Sequence, residues 1–382
     1  IMKRRILIGA ALAGAALAAV LCACSGAAKP TPSPSAPAEE SSKAPESEPP
    51  TPAAPEPTAS PAPTPEPALE LKTGSLERAE RTYTYSGQEV ERKFYYYIPS
   101  AWQEGERLPI MLSLHGSGSN AYSQLLESRY HEFAEEYGFI LIAPEAVAIH
   151  SNGKLSSAGK LLYETGQSDA KYLRWNAVPS TDPCNGYGVD DVTYLLDLVD
   201  IFVDQGYGDT GRVYSSGLSH GAFMSLRLAL EAPGRIAGVG AVAGLLSADF
   251  LDTVMSEKVK IVFVEGTADP IVPIAGMNYN GFQYAYSLKD SVKWFLEQYG
   301  MEDAQPEETA LPDTDPDDGT TITRSVYSDT EGTPWIFQYV VEGGGHTWPG
   351  GTQYGDAKYF GIVSRDADAS LLILEDLGLK ER

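Results

Sequence analysis

Cysteine is scarce in this sequence, three residues in 382, and two of them, Cys22 and Cys24, fall within the first 24 positions. Cys184 is left without a partner further along, which excludes a disulfide framework. No histidine stands near it in sequence, so it reads as a small packed side chain rather than a nucleophile. Cations are also short, 28 Lys and Arg against 52 Asp and Glu, for a formal charge of −24. A phosphate-binding surface needs a basic stripe, so nucleic acid is excluded as a partner. After residue 21 no apolar run is long enough to span a bilayer as a helix. Histidine is rare as well, at five residues, few enough to weigh one at a time. Nothing in the pattern calls for a metal or an organic cofactor. Asp313 to Gly319 hints at a calcium loop, but its glycine comes one place late and Arg324 stands where the bidentate acid belongs; a solvated turn is the expectation.

The chain opens with a basic stretch, Lys3 to Arg5, then an alanine-rich apolar run to Leu21, the layout of an export signal rather than a core helix. Leu21, Ala23 and Cys24 occupy the minus three, minus one and plus one places of a bacterial lipobox. Residues 1–24 therefore resemble a lipoprotein signal, with Cys24 as the lipidated residue and a membrane-anchored, extracellular protein as the consequence. Residues 25–68 are almost all Pro, Ala, Ser, Thr and Glu, with no aromatic residue. Such a segment cannot bury enough apolar surface to offset its ordering entropy, and a spacer is expected. The folded domain is then 69–382.

Within it, Tyr83 to Tyr85 and Glu89 to Ile98 read as an antiparallel pair turned at Ser86-Gly87. From Leu108 onward continuously apolar strands alternate with helices: 108–114, 122–137 (helix), 139–143, 190–203 (helix), 212–216, 219–230 (helix), 236–242, 259–264, 287–299 (helix), 321–327, 334–341 and 367–377 (helix). Continuous apolar strands between helices indicate an α/β fold, a mostly parallel sheet covered on both faces. Asp190-Asp191 falls at a helix start, where the dipole favours acids.

One turn carries the chemistry. Gly217-Leu218-Ser219-His220-Gly221 joins an apolar strand to an amphipathic helix. In that setting the glycines permit a tight turn and the serine hydroxyl projects above the sheet, the nucleophile elbow of an α/β-hydrolase. A serine needs a base to take its proton. His131 lies in an early helix, His150 in an insertion and His115 in a loop with another part to play, and His220 points away from the hydroxyl it follows. His346 remains, on the glycine-rich loop Gly343 to Gly350 after a late strand. The acid belongs between serine and base, and Asp269 in Gly266-Thr-Ala-Asp-Pro270 fits, with Glu265 at the strand end as its competitor. The oxyanion hole falls to the amide of His220 and to that of Gly116 or Ser117, on the loop Leu114-His115-Gly116-Ser117-Gly118. Trp348 and Trp175 lie in loops near the expected mouth, as does His115, and are candidates for substrate contact.

These residues bear a family likeness. Leu114-His115-Gly116, Trp175 with Cys184, Val189 to Val192, Arg212 to Ser219 and Gly345 to Gly350 resemble the polyhydroxybutyrate depolymerase, feruloyl esterase and LpqC-like group of α/β-hydrolases, over most of Lys93 to Leu377. The likeness implies extracellular carboxylic-ester hydrolysis through Ser219, Asp269 and His346, with Trp348 as a cleft wall. Its implied substrates are feruloyl or acetyl esters of polysaccharide, or polyester oligomers. Two places depart from the group: Ala222 follows Gly221 where a second glycine is usual, and Cys184 lacks the cysteine with which many members pair it.

Overall fold

The computed structural model describes residues 69–150, 153–156, 173–279 and 281–380. The expected signal at 1–24, Cys24 with it, and the spacer at 25–68 lie outside the described residues. The front hairpin pairs β1 (Glu77–Tyr85) with β2 (Gln88–Tyr97). Its turn residues Ser86 and Gly87 both take positive φ, 47° and 75°, the backbone twist that a two-residue hairpin needs. Next come β3 (Leu108–Leu114), β4 (Ile140–Pro144) and a short ribbon of β5 (Ala148–Ile149) with β6 (Leu155–Ser156). β7 (Gly208–Leu218), β8 (Gly238–Val242) and β9 (Lys260–Gly266) follow. A second ribbon joins β10 (Met277–Tyr279) to β11 (Phe282–Ala285), and β12 (Glu307–Ala310), β13 (Thr321–Ser328) and β14 (Pro334–Glu342) end the strands.

The main sheet has the order β1-β2-β4-β3-β7-β8-β9-β14-β13-β12. Its six central strands, β4 to β14 in that order, run parallel, and the pairs at both edges are antiparallel. Along β3, Ile110 and Leu112 face one core and Met111 the other. This period of two with both faces buried explains the unbroken apolar runs. On one face lie α1 (Ala121–Ser128), α2 (Tyr130–Tyr137) and α7 (Ala369–Leu377). On the other lie α3 (Asp191–Asp204), α4 (His220–Glu231) and α5 (Leu288–Gln298). A one-turn helix, α6 (Ala357–Phe360), sits beyond β14.

Three expectations change. The single helix over 122–137 is two, broken at Arg129, whose φ of 51° is left-handed. No glycine or proline marks the break. Tertiary partners impose it: the Ser370 hydroxyl donates to the Ser128 carbonyl at 2.6 Å, and the Arg129 guanidinium pairs with Asp368. Second, β13 runs antiparallel to β14, so the parallel pattern is interrupted at β13 and resumed by β14, which pairs parallel with β9. Third, only Asp190 caps α3, through the Thr193 amide. Asp191 is fully buried, bonded to Arg92 at 2.8 Å and to the Asn176 amide.

Candidate active site

β3, β7, β9 and β14 all end at the same rim of the sheet, and each delivers a residue singled out above. Ser219 closes β7 and opens α4 with φ 57° and ψ −120°, a conformation that costs a non-glycine residue about 1–3 kcal/mol. The two flanking glycines make it possible. A Cβ on Gly217 would stand 2.4 Å from the Gly221 carbonyl carbon, and one on Gly221 would stand 2.1 Å from the Leu114 carbonyl oxygen. The Ser219 amide donates to Val242 O at 2.8 Å, which hangs the turn on the end of β8.

His346 and Asp269 meet across neighbouring strands. Asp269 Oδ2 accepts from His346 Nδ1 at 2.7 Å, while Oδ1 takes the amides of Ile271 and Val272 at 2.7 and 2.8 Å. Both side chains are buried, His346 at 5% exposure and Asp269 at 0%. Backbone lacing fixes their loops together: Thr267 N donates to Val341 O and Ala268 N to Gly344 O. A carboxylate so placed holds one imidazole nitrogen and leaves the other for a proton. Glu265, the competing acid, sits inside the sheet and bonds the Gly244 amide instead.

The loop after β3 has its own internal lock. The Ala146 amide donates to His115 Nε2 at 3.1 Å, so the ring proton resides on Nδ1, which donates to Gly116 O at 2.8 Å. Burial holds this imidazole neutral, its pKa pushed down to about 4. Ser119 N also donates to Gly116 O. In a planar trans peptide the Ser117 N–H then points the opposite way. Among the described residues neither the Ser117 amide nor the His220 amide has an acceptor. A Cβ on Gly116 would lie 3.5 Å from Ser219 Cβ, which puts this loop beside the serine.

No protein-family model matches the chain. In sequence it is 28% identical over 264 residues to NocK of Nocardia uniformis subsp. tsuyamanensis, which bears the name of an esterase. That match covers 66% of this chain and 69% of NocK. A poly(3-hydroxybutyrate) depolymerase of Ralstonia pickettii is 25% identical over 292 residues, and the chain spans only 53% of its length. The acetyl xylan esterase of Aspergillus awamori superposes with a TM-score of 0.50 at 15% identity, covering 80% of this chain and all of that one. The chain has the α/β-hydrolase fold.

The fold does not expose all the side chains singled out for substrate contact. Trp348 is a correction. It is completely enclosed, set edge-on to Tyr130 at 6.0 Å between ring centres, with its indole N–H on Ser370 Oγ at 3.1 Å. A side chain with no exposed surface is no cleft wall; it is core under the His346 loop. Trp175 is equally enclosed and donates to the His115 carbonyl at 2.8 Å, and His115 is buried with it. Both shape the loop after β3 from behind and offer a substrate no surface. The Cys184 thiol, also buried, donates to Arg174 O, and burial raises its pKa.

Two further residues escape a sequence reading. Tyr354 donates its hydroxyl to the His346 carbonyl while its ring packs edge-on to Phe360. Asp182 accepts from His220 Nε2, from Arg174 Nε, and from the amides of Ala177 and Val178. Burial alone would raise its carboxyl, but His220 and Arg174 hold it down at about 2. Neither belongs to a motif, and both are partners through space. Among the described residues no group of three His, Cys, Asp or Glu side chains could hold a metal ion.

Proposed function

We propose that this α/β-hydrolase hydrolyses carboxylic esters through an acyl-enzyme on Ser219, with His346 as the base and Asp269 as its orienting acid. The observation that carries the reading is the 2.7 Å bond from His346 to Asp269, on the rim where Ser219 stands in its strained turn. Ser219 Oγ attacks the ester carbonyl as His346 takes its proton. The tetrahedral oxyanion lies against the Ser117 and His220 amides, which have no other acceptor among the described residues. His346 then protonates the departing alcohol, and water repeats the sequence to release the acid.

The relatives' names point to acetyl esters on polysaccharide, or to polyester oligomers, as the substrate class, and the motif resemblance adds feruloyl esters. The lipobox around Cys24 and the spacer after it support an enzyme tethered outside the cell. A panel of p-nitrophenyl esters of graded chain length, methyl ferulate, acetylated xylan and hydroxybutyrate oligomers separates these substrates. Turnover of at least one carboxylic ester is expected. Inactivity on every member, from a folded protein, would contradict the reading.

A further inference from the structure

Glu265 is the penultimate residue of β9, four before Asp269, and the mechanism above makes no use of it. It is 1% exposed. Strand alternation turns it to the face where Ile261 and Phe263 meet Ala222 and Phe223 of α4 and Leu288, Val292 and Phe295 of α5. Oε1 accepts the Gly244 amide at 2.9 Å, and Oε2 is buried with no partner among the described residues. The turn that Oε1 holds bears on the nucleophile. Ala243 has φ 51°, left-handed and rare for a residue with a Cβ. The residue before it, Val242, takes the Ser219 amide on its carbonyl. The residue after it, Gly244, is packed so close that a Cβ there would stand 2.5 Å from Ala222 Cβ and 3.1 Å from Ser219 O. Two unfavourable turns, at Ala243 and Ser219, thus rest on each other, and the Glu265 side chain pins the one beneath.

We propose that Glu265 is a positioning residue: as a neutral carboxyl it fixes the Ala243–Gly244 turn on which Ser219 rests, and its ionisation disarms the site at alkaline pH. An oxygen without a partner in an apolar enclosure costs far more on an anion than on an acid. The charged group facing it is the Asp269 carboxylate, with His346 beyond; a second negative charge there would be repelled. Its partner on β14, Val340, and the α4 residues Ala222 and Phe223 are apolar, and the charges of α5, Lys289, Asp290, Lys293 and Glu297, are exposed. Burial pushes the carboxyl well above its usual range; the Gly244 amide opposes this and Asp269 adds to it. An ionised Glu265 would draw in water or swing away, and Gly244 would lose its tie.

The proposal rests on the esterase reading, so its test has one arm that needs no substrate. Hydrolysis of p-nitrophenyl acetate, corrected for the uncatalysed rate, is followed from pH 6 to 9.5 for the wild type and Glu265→Gln. The wild-type kcat should fall along a one-proton alkaline limb that the amide abolishes or moves up by at least one pH unit. At pH 7, Glu265→Ala should lose tenfold or more in kcat with KM within twofold, and glutamine should restore most of the loss. Superimposable limbs, or full kcat in a folded alanine variant, would overturn the proposal; if the alanine variant does not fold, the glutamine profile decides. Without turnover, melting temperature against pH decides. A carboxyl whose pKa is raised by folding stabilises below its unfolded value, and that stability is lost as pH rises. The wild type should therefore melt progressively lower than Glu265→Gln from pH 5 to 9, and parallel curves would overturn the neutral carboxyl.

Discussion

His346 is held from three sides. Its amide donates to Phe360 O at 2.6 Å, its carbonyl accepts from the Tyr354 hydroxyl, and Nδ1 is bonded to Asp269. Packing completes this, with Trp348 filling the space between the loop and Tyr130. An indole so enclosed contributes through shape. Trp348→Ala is expected to cost about 3–5 kcal/mol of stability, the range for emptying a large aromatic site. Its activity should fall by the same factor on methyl ferulate and on a short acetate. Denaturant unfolding together with the two rates checks this; a selective loss on the ferulate would restore Trp348 to the cleft. Ser219, Asp269 and His346, the proposed triad, stand out in the sequence because each follows an apolar strand on a glycine-marked turn, and such turns are local. The burial of Trp348, Trp175 and His115 is set by residues distant along the chain. Aromatic residues on glycine-rich loops give no local sign of which way they face.

At the level of elements, the same division holds. The parallel core, the front hairpin and the strand–turn–helix around Ser219 follow from periodicity and turn chemistry. The break at Arg129 follows instead from Ser370 and Asp368, more than two hundred residues away. The segment from Leu173 to Val189 is another case: little in its composition announces structure, yet it is tied down by two buried carboxylates, Asp191 on the Asn176 amide and Asp182 at several points. Asp182 gathers two amides of its own segment, Arg174, and His220 of the nucleophile helix. Removing one partner of a buried charged network costs about 3–5 kcal/mol, since the others are left unpaired. Asp182→Ala should therefore lower stability by about that much and make this segment the first to be cut in limited proteolysis. A variant with wild-type unfolding and an unchanged cleavage pattern would show that the other contacts of the segment hold it without Asp182.

For the molecule as a whole, pH acts on the site through a residue outside the triad. Burial keeps His115 neutral, with its pKa moved from 6.5 to about 4. In the unfolded chain it takes a proton below about 6.5, and in the folded chain only near 4, so acid favours unfolding across that window. That displacement corresponds to stability on the order of 3 kcal/mol lost between those pH values. The Asp182 contribution lies lower, because its depressed carboxyl loses stability as pH falls from 3.8, the ordinary value, to about 2. Urea unfolding at intervals from pH 7 to 4 should show the loss, with a visibly flatter curve in a folded His115→Gln protein. Equal slopes would mean that His115 is hydrated in solution. The central claim, that Ser219 is the nucleophile of this hydrolase, is tested most directly by labelling with a fluorophosphonate, which phosphonylates activated serines. Intact and peptide mass spectra should show one adduct, on Ser219, whose formation parallels loss of ester hydrolysis, and Ser219→Ala should neither label nor hydrolyse. A label on another residue, or ester turnover persisting in folded Ser219→Ala, would contradict the account.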